Sequence, residues 1–386
     1  METANNSKVC AKNKQIGKNV KIGEDVIVEC NDLILGDNVN IGLLAEENFR
    51  NTGGTRIKVD RLIMEDGVSI GREVLLKGGT VHLGKNVIIK SDNTINVKDK
   101  LKIGEKGAIN EHCEISGRDI QIGQELWMLP YAKIGGGSAF EIHSKLRIGD
   151  YCHIGMYCFI NTARPVYIGN EVGLGTRTAL YTHGAYSSAL NGFPIAFGEI
   201  YIGDYTWIPG ATVNPGVKIG KNCVIGVNSL VTKDIPDGCL AAGTPAKVIR
   251  ENVFPKELSF EERADFFDIF LETFGEICSD GHIVQHDEGA HITQVTIDGI
   301  VILFKEYLRE EDLNLGNKRV IYITQDANLS LLVLENISSS ITVLDLKNRF
   351  IYGLVDKISE RLLNQLRRYG IRFYSRSKDK KYVKWK

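Results

Sequence analysis

His183 is the side chain that the sequence best places to move a proton. It heads the stretch HGAYSSALNGFPIAFG, where an otherwise regular six-residue repeat breaks off. An acceptor hydroxyl is a poor nucleophile at neutral pH, and an imidazole with a pKa of about 6.5 can take its proton as it attacks. The alternative is a loop histidine bonded to solvent. Asn161 accompanies it: measured from repeat starts at Ile148 and Ile168, the two residues fall at offsets 13 and 15, so stacked repeats bring them to one face. Asn161 is read either as part of that chemistry or as a turn residue or rung of an asparagine ladder. His282, His286 and His291 recur at intervals of four and five, but no cysteine or acid completes a zinc set, and no metal is expected there.

The repeat must position these residues. Between Tyr201 and Glu251 the pairs Ile202-Gly203, Ile208-Pro209, Ile219-Gly220 and Ile225-Gly226 mark six-residue steps. One aliphatic per six residues cannot make an amphipathic helix, which needs apolar residues three and four apart. It suits a triangular solenoid, in which each hexapeptide gives one short strand and one corner. The aliphatic side chain fills the interior, and glycine supplies the positive φ of the corner. Coil starts follow at Ile16, Leu35, Met64, Leu83, Ile103, Ile122, Ile148, Ile168, Ile202 and Ile219, about ten coils. Three intervals, 35 to 64, 122 to 148 and 168 to 202, are too long for one coil and must hold loops.

The expected fold is mostly β: a parallel β-helix over residues 1–254 with a long loop at 183–199, then a helical segment at 255–281. A small α/β or α+β domain follows at 282–386. In the helical segment Ser259 and Glu262 read as a capping box, and Phe267, Phe270, Leu271 and Phe274 form one stripe that would cover the open end of the solenoid. Beyond it, HITQVTIDGIVILFKEYL, KRVIYITQ, LSLLVLENI and SITVLDL read as strands, and VDKISERLLNQLRRYG as a helix.

A net charge of −1 does not point to nucleic acid as a partner, and no apolar run approaches the roughly 18 residues of a membrane span. The opening METANNSKVCAKNKQ is polar, unlike a secretory signal. Eight scattered cysteines without CxxC spacing read as small buried hydrophobes in a reducing cytoplasm. The tail from Arg367 to Lys386 carries nine Lys or Arg among Tyr369, Phe373, Tyr374, Tyr382 and Trp385. It reads either as a solvated end or as a segment docking on an anionic acceptor or on the inner face of the membrane.

The string IGDYTWIPGATVNPGVKIGKNCVIGVNSLVTKDIPDG, followed by AAGTPAKVIRE, resembles the end of the catalytic helix in the hexapeptide acyltransferases, which include galactoside, maltose and serine acetyltransferases. The resemblance covers roughly residues 14 to 254 for fold and 150 to 254 for chemistry. It implies a left-handed parallel β-helix, a homotrimer, acetyl-CoA as acyl donor and no metal. It also implies His183 as general base and Asn161 as a residue that helps hold the acceptor. An acid to orient the imidazole would be Glu171 or Glu199, unless a backbone carbonyl fills that role. Trp207 matches a tryptophan near the pantetheine arm, or else packs in the trimer interface. Gly210 and Ala211 match backbone positions facing that arm. Thr232, Lys233, Lys247 and Arg250 match contacts to the CoA phosphates, with a solvated surface as the other reading of Lys247. His143, His153 and His183 invite comparison with trimeric γ-type carbonic anhydrases, but the closely spaced pair of ligands of that family has no counterpart here. Direct transfer in a ternary complex needs no catalytic cysteine.

The activity implied is O-acetylation of a sugar hydroxyl of a surface polysaccharide or its precursor, in the cytoplasm. N-acylation of a nucleotide-linked amino sugar is the alternative enzyme, and a non-catalytic β-helix scaffold the alternative of another class.

Overall fold

A computed structural model of the chain describes residues 1–43, 54–185, 187–279, 284–289, 292–314, 318–327, 329–330, 333–334 and 337–373, with the backbone alone for 284–289 and 292–293. The chain divides into two compact units, Met1–Pro255 and a second beginning at Lys256.

The first unit is a three-faced parallel β-helix. Every coil start read from the repeat stacks on the next, from Ile16 on Leu35 through Leu35 on Met64, Met64 on Leu83, Leu83 on Ile103 and Ile103 on Ile122. The ladder continues through Ile148, Ile168, Ile202 and Ile219 to Ile235. Two further ladders line the interior, one including Ile57, Leu76, Ile95 and Ile115, the other Ile41, Ile70 and Ile89. Together they form one continuous buried core. Burying each such aliphatic chain contributes about 1.5–3 kcal/mol, which is why a strict period of six suffices to specify the coil.

The corners work differently from the sequence expectation. The glycines that follow the coil starts, such as Gly17 and Gly104, are absent from the positive-φ residues. They are required because coils approach closely there: a Cβ on Gly17 would lie 2.5 Å from the carbonyl carbon of Gly36, and one on Gly104 2.6 Å from that of Gly123. The left-handed conformation sits two residues later, at Asn19, Asn38, Gly67, Asn86, Lys106, Glu125, Tyr151, Glu171, Tyr205, Asn222 and Gly238, with φ from 53° to 72°. Asparagine tolerates this region best among side chains, and here it also bonds along the stack, Asn19 Nδ2 donating to Asn38 Oδ1 at 3.1 Å.

Strand length changes midway. Up to Ile122, strands of nine or ten residues, Lys8–Ile16, Ile27–Leu35, Arg56–Met64, Leu75–Leu83, Thr94–Ile103 and Glu114–Ile122, run unbroken around one corner. After it the corner opens: Glu114–Ile122 pairs at its start with Lys133–Gly135 and at its end with Lys145–Ile148. Thereafter each coil carries two short strands where one long strand ran before. The third face consists of short strands throughout and ends on the antiparallel strand Ala246–Arg250.

The second unit is built on a six-stranded mixed sheet in chain order: Val284–Gly289, Ile292–Ile297, Ile300–Tyr307, Val320–Asp326, Ile341–Asp345 and Phe350–Gly353. The third, fourth and fifth are mutually parallel and the outer pairings antiparallel. Helix α1 (Phe260–Cys278) opens with the Ser259–Glu262 capping box, and α2 (Lys357–Arg368) is capped by Asp356. Alternation along Val320–Asp326 serves two cores: Ile321 and Ile323 pack with Phe267, Phe270, Leu271 and Phe274 of α1 and Leu362 and Leu366 of α2, whereas Val320 and Tyr322 pack with Leu334 and Tyr352. The α1 stripe read as a cover for the solenoid is thus buried within its own unit.

One expected strand, LSLLVLENI, is not one where it is described: Val333 and Leu334 lie in a helical turn, and Leu334 N–H donates to the Ser330 carbonyl at 3.1 Å. A continuous apolar run does not distinguish helix from strand by periodicity. His282 and His291 lie outside the described residues, as does the tail beyond Phe373. The described part of the tail packs locally, with Tyr369 edge-on to Phe266 and Phe270 at 5.5 Å and Phe373 buried in the α1–α2 core.

Candidate active site

The opened corner brings the candidate residues His183 and Asn161 together. Strand Phe159–Asn161 pairs with Lys133–Gly135 on one side and Ala179–Leu180 on the other, so Asn161 sits over Gly135, one coil before the chain reaches His183. His183–Gly184 then leaves the coil as an antiparallel hairpin with Ala196–Phe197. Asn161 is 1% exposed and Thr182 0%. A polar side chain buried so deeply must be satisfied by partners, and those partners fix its orientation.

They do so without ambiguity. Asn161 Nδ2 donates to the carbonyls of Gly135 at 3.1 Å and Gly137 at 3.4 Å. Its Oδ1 is therefore the acceptor, taking bonds from the Thr182 hydroxyl at 2.5 Å and the Ala163 amide at 3.3 Å. His183 Nδ1 stands 2.8 Å from the same oxygen. An amide oxygen can only accept, so Nδ1 carries the proton and Nε2 carries the free lone pair. The imidazole ring stacks on Phe197 with centroids 5.8 Å apart, and the Arg164 guanidinium lies 4.5 Å from the Phe197 centroid. Such an imidazole can accept a proton at Nε2 while its orientation and tautomer are held from behind.

The acids considered for this role are engaged elsewhere. Glu199 accepts the Tyr201 hydroxyl at 2.5 Å, and that bond helps push the Tyr201 phenol up to about 12. Glu171 occupies a left-handed corner of the solenoid. The group that stands against the imidazole is thus a side-chain amide, neither an acid nor a backbone carbonyl. The triple glycine Gly135-Gly136-Gly137 was missed by sequence reasoning, although it lies in an interval too long for one coil. A Cβ on Gly136 would meet Phe159 at 3.0 Å and Asn161 Nδ2 at 3.3 Å, so the close approach of this loop to Asn161 requires its absence.

The remaining residues fall into two groups. Thr232 and Lys233 follow strand Leu230–Val231, which continues the sheet through Asn161's strand, and both are exposed. Trp207 lies on the third face, 55% exposed, in register with Val224, whose partner Leu240 pairs with Arg250. Lys247 pairs with Ala242 on the same strand as Arg250. Gly210, with φ 135°, and Ala211 form the next corner, where the Ala211 side chain is buried in the core. Within one chain Trp207 and Arg250 therefore occupy a different face from His183.

Among the described residues no three His, Cys, Asp or Glu converge as a metal set. Burial pushes the Cys113 and Cys158 thiols up to about 11, so both are protonated near neutrality.

Residues 199–233 match the family described as bacterial transferase hexapeptide (six repeats). The chain is 35% identical over 136 residues to a galactoside O-acetyltransferase of Lactococcus lactis, covering 34% of this chain and 62% of that one. A chloramphenicol acetyltransferase of Klebsiella aerogenes is 35% identical over 130 residues, covering 33% and 61%. A hexapeptide-repeat acetyltransferase of Vibrio cholerae, solved with acetyl coenzyme A, is 34% identical and covers 28% of this chain and 60% of that one, with a TM-score of 0.26. The chain thus spans about three fifths of the length of these curated relatives. Residues 199–233 thus carry the repeat of the bacterial hexapeptide transferases, and about a third of the chain is similar in sequence to acetyltransferases that contain it.

Proposed function

We propose that this protein transfers an acetyl group from acetyl-CoA to a hydroxyl of a saccharide, a surface polysaccharide or its precursor, with His183 as the general base. The observation that carries this reading is the bond from His183 Nδ1 to Asn161 Oδ1, which leaves Nε2 as the basic nitrogen. Nε2 takes the proton of the acceptor hydroxyl as its oxygen attacks the thioester carbonyl. The new C–O bond forms, the C–S bond breaks, and the proton passes from His183 to the departing thiolate. Asn161 and Thr182 act as positioning residues. This assigns Asn161 to the histidine, in place of the acceptor-holding role that the sequence resemblance implies.

The donor fits the exposed Trp207 and the cations Lys233, Lys247 and Arg250, whose charges suit the CoA phosphates. Because Trp207 and His183 lie on different faces of one solenoid, a homotrimer in which the donor lies between neighbouring copies brings the two groups to one groove. The relatives named above act on galactosides and chloramphenicol; the saccharide is preferred here because the loop at 183–199 offers the exposed side chains of Phe193, Phe197, Ser187 and Ser188 for ring stacking and hydroxyl bonding. An acyl-CoA donor places the reaction in the cytoplasm.

The test is incubation with acetyl-CoA and a panel of glycans, reading released thiol and product mass, with light scattering on the same sample. Acetylated glycan from a trimeric species is expected. Acceptor-independent thiol release alone, or full activity from a monomer, would refute the corresponding part.

A further inference from the structure

We infer that Gly137 is a specificity-determining residue: its missing side chain keeps the approach to His183 Nε2 open to an acceptor hydroxyl carried on a bulky ring. The inference rests on the reading of His183 as the base. Its own support is the space in front of that base.

A Cβ built on Gly137 would lie 3.5 Å from His183 Nε2 and 3.6 Å from Cε1, with no other heavy atom of the described residues outside its chain neighbours within 4 Å. Nδ1 is not among those neighbours, so the added carbon sits outboard of the Nε2–Cε1 edge. That edge is where Nε2 presents its lone pair, since Nδ1 is turned back to Asn161. A hydroxyl must come within roughly 2.6–3.2 Å of Nε2 to lose its proton to it, and a methyl at van der Waals distance from the same edge occupies that approach. Nothing else among the described residues demands a glycine here. Gly137 is not among the positive-φ residues, and contacts of 3.5–3.6 Å are ordinary for a Cβ.

Gly136 provides the contrast. Its φ is 94° and its Cβ would meet Phe159 at 3.0 Å, so it serves the fold. The backbone of Gly137 contributes too, because its carbonyl accepts from Asn161 Nδ2. The loop thus holds the positioning residue by its carbonyls and leaves the base accessible through its lack of side chain.

The experiment compares Gly137→Ala, Gly136→Ala and the parent in three measurements: thermal midpoint, carbethoxylation of His183 by diethyl pyrocarbonate followed by peptide mass, and acetyl transfer to the glycan acceptor found active with the parent. Gly137→Ala should keep the parent's midpoint, slow modification of His183, and lower turnover about 10²-fold, the scale expected when a reacting group is displaced by about 1 Å. Gly136→Ala should lower the midpoint. Unchanged carbethoxylation in Gly137→Ala would overturn the inference, as would a midpoint lowered as far as in Gly136→Ala. Slower carbethoxylation with undiminished transfer would overturn its role in acceptor choice. If the parent transfers acetyl to no acceptor, the acyltransferase reading fails, while carbethoxylation still decides whether Gly137 controls access to Nε2.

Discussion

The solenoid up to Ile122 and the solenoid after it share one interior and differ in one corner. Upstream, a strand of nine or ten residues bends through that corner, and its backbone groups continue the ladder with little interruption. Downstream the strand is cut in two, and the residues between leave the parallel ladder: the loop at Gly136 and Gly137, the antiparallel hairpin of His183 and the turn before Val166. The same hydrophobic pattern therefore supports a plain column and an opened edge. The candidate site lies where the parallel ladder is interrupted, and His183 stands there on a hairpin that leaves the coil.

If this contrast is right, substitutions in the two regions should damage different properties. The largest effect belongs downstream: His183→Ala should lower turnover by about 10² to 10⁴, the contribution of a general base, with thermal midpoint and acetyl-CoA affinity unchanged. Steady-state kinetics and calorimetry on one preparation decide it; near-normal turnover in the folded variant would remove His183 from the mechanism.

Upstream, Leu62→Ala should cost about 2–5 kcal/mol of stability, as truncation of a fully buried leucine does, and leave turnover per folded molecule as it was. Denaturant titration measures the first and active-site counting the second. A comparable fall in turnover would mean that the column and the edge are not separable.

Between the two halves stands the pair of Asp119, on the last unbroken strand, and Arg147, on the first divided coil. Burial raises the Asp119 carboxyl pKa, but hydrogen bonds from Arg147 and Gln121 outweigh it and hold the pKa below the ordinary carboxylate value. A lowered folded pKa gives stability that is present above the unfolded value, about 3.9, and is lost as pH falls through the folded one. Asp119→Ala leaves Arg147, itself buried, without its carboxylate and should cost about 1–2 kcal/mol after allowance for the partly exposed aspartate. The loss should shrink below pH 4, where the parent loses the same pair; an equal deficit at pH 3 and pH 7 would show that packing, not charge, joins the halves.

The smallest effect concerns donor phosphates. Lys233→Ala with Arg250→Ala should weaken acetyl-CoA binding by up to about 1 kcal/mol per exposed contact, more at low than at high salt. Calorimetric titration at two ionic strengths showing equal affinity for variant and parent would sink the phosphate assignment.

The architecture was legible because the repeat is a one-dimensional code: each of the ten aliphatics read as a coil start stacks in register on the next. Corner chemistry was less legible. Glycine after isoleucine looks like a φ requirement, yet it answers the approach of the next coil, while the left-handed position is filled by Asn, Lys, Glu or Tyr except at Gly67 and Gly238. Offsets 13 and 15 rightly brought Asn161 and His183 together, but no offset tells which atom of an amide faces an imidazole. That depends on the Gly135 and Gly137 carbonyls across a loop of irregular length. The run LSLLVLENI failed for a simpler reason, since unbroken apolar sequence carries no period.

The stacked coils also make the protein a molecular ruler. Neighbouring strands are spaced by about 4.8 Å, and each coil rests only on its neighbours, so residue count along the repeat converts linearly into distance from the opened edge. Excising one upstream coil, residues 84 to 103, would rejoin Leu83 to Gly104 with the ladder still in phase. The edge itself would keep its geometry and simply stand one step nearer the amino terminus.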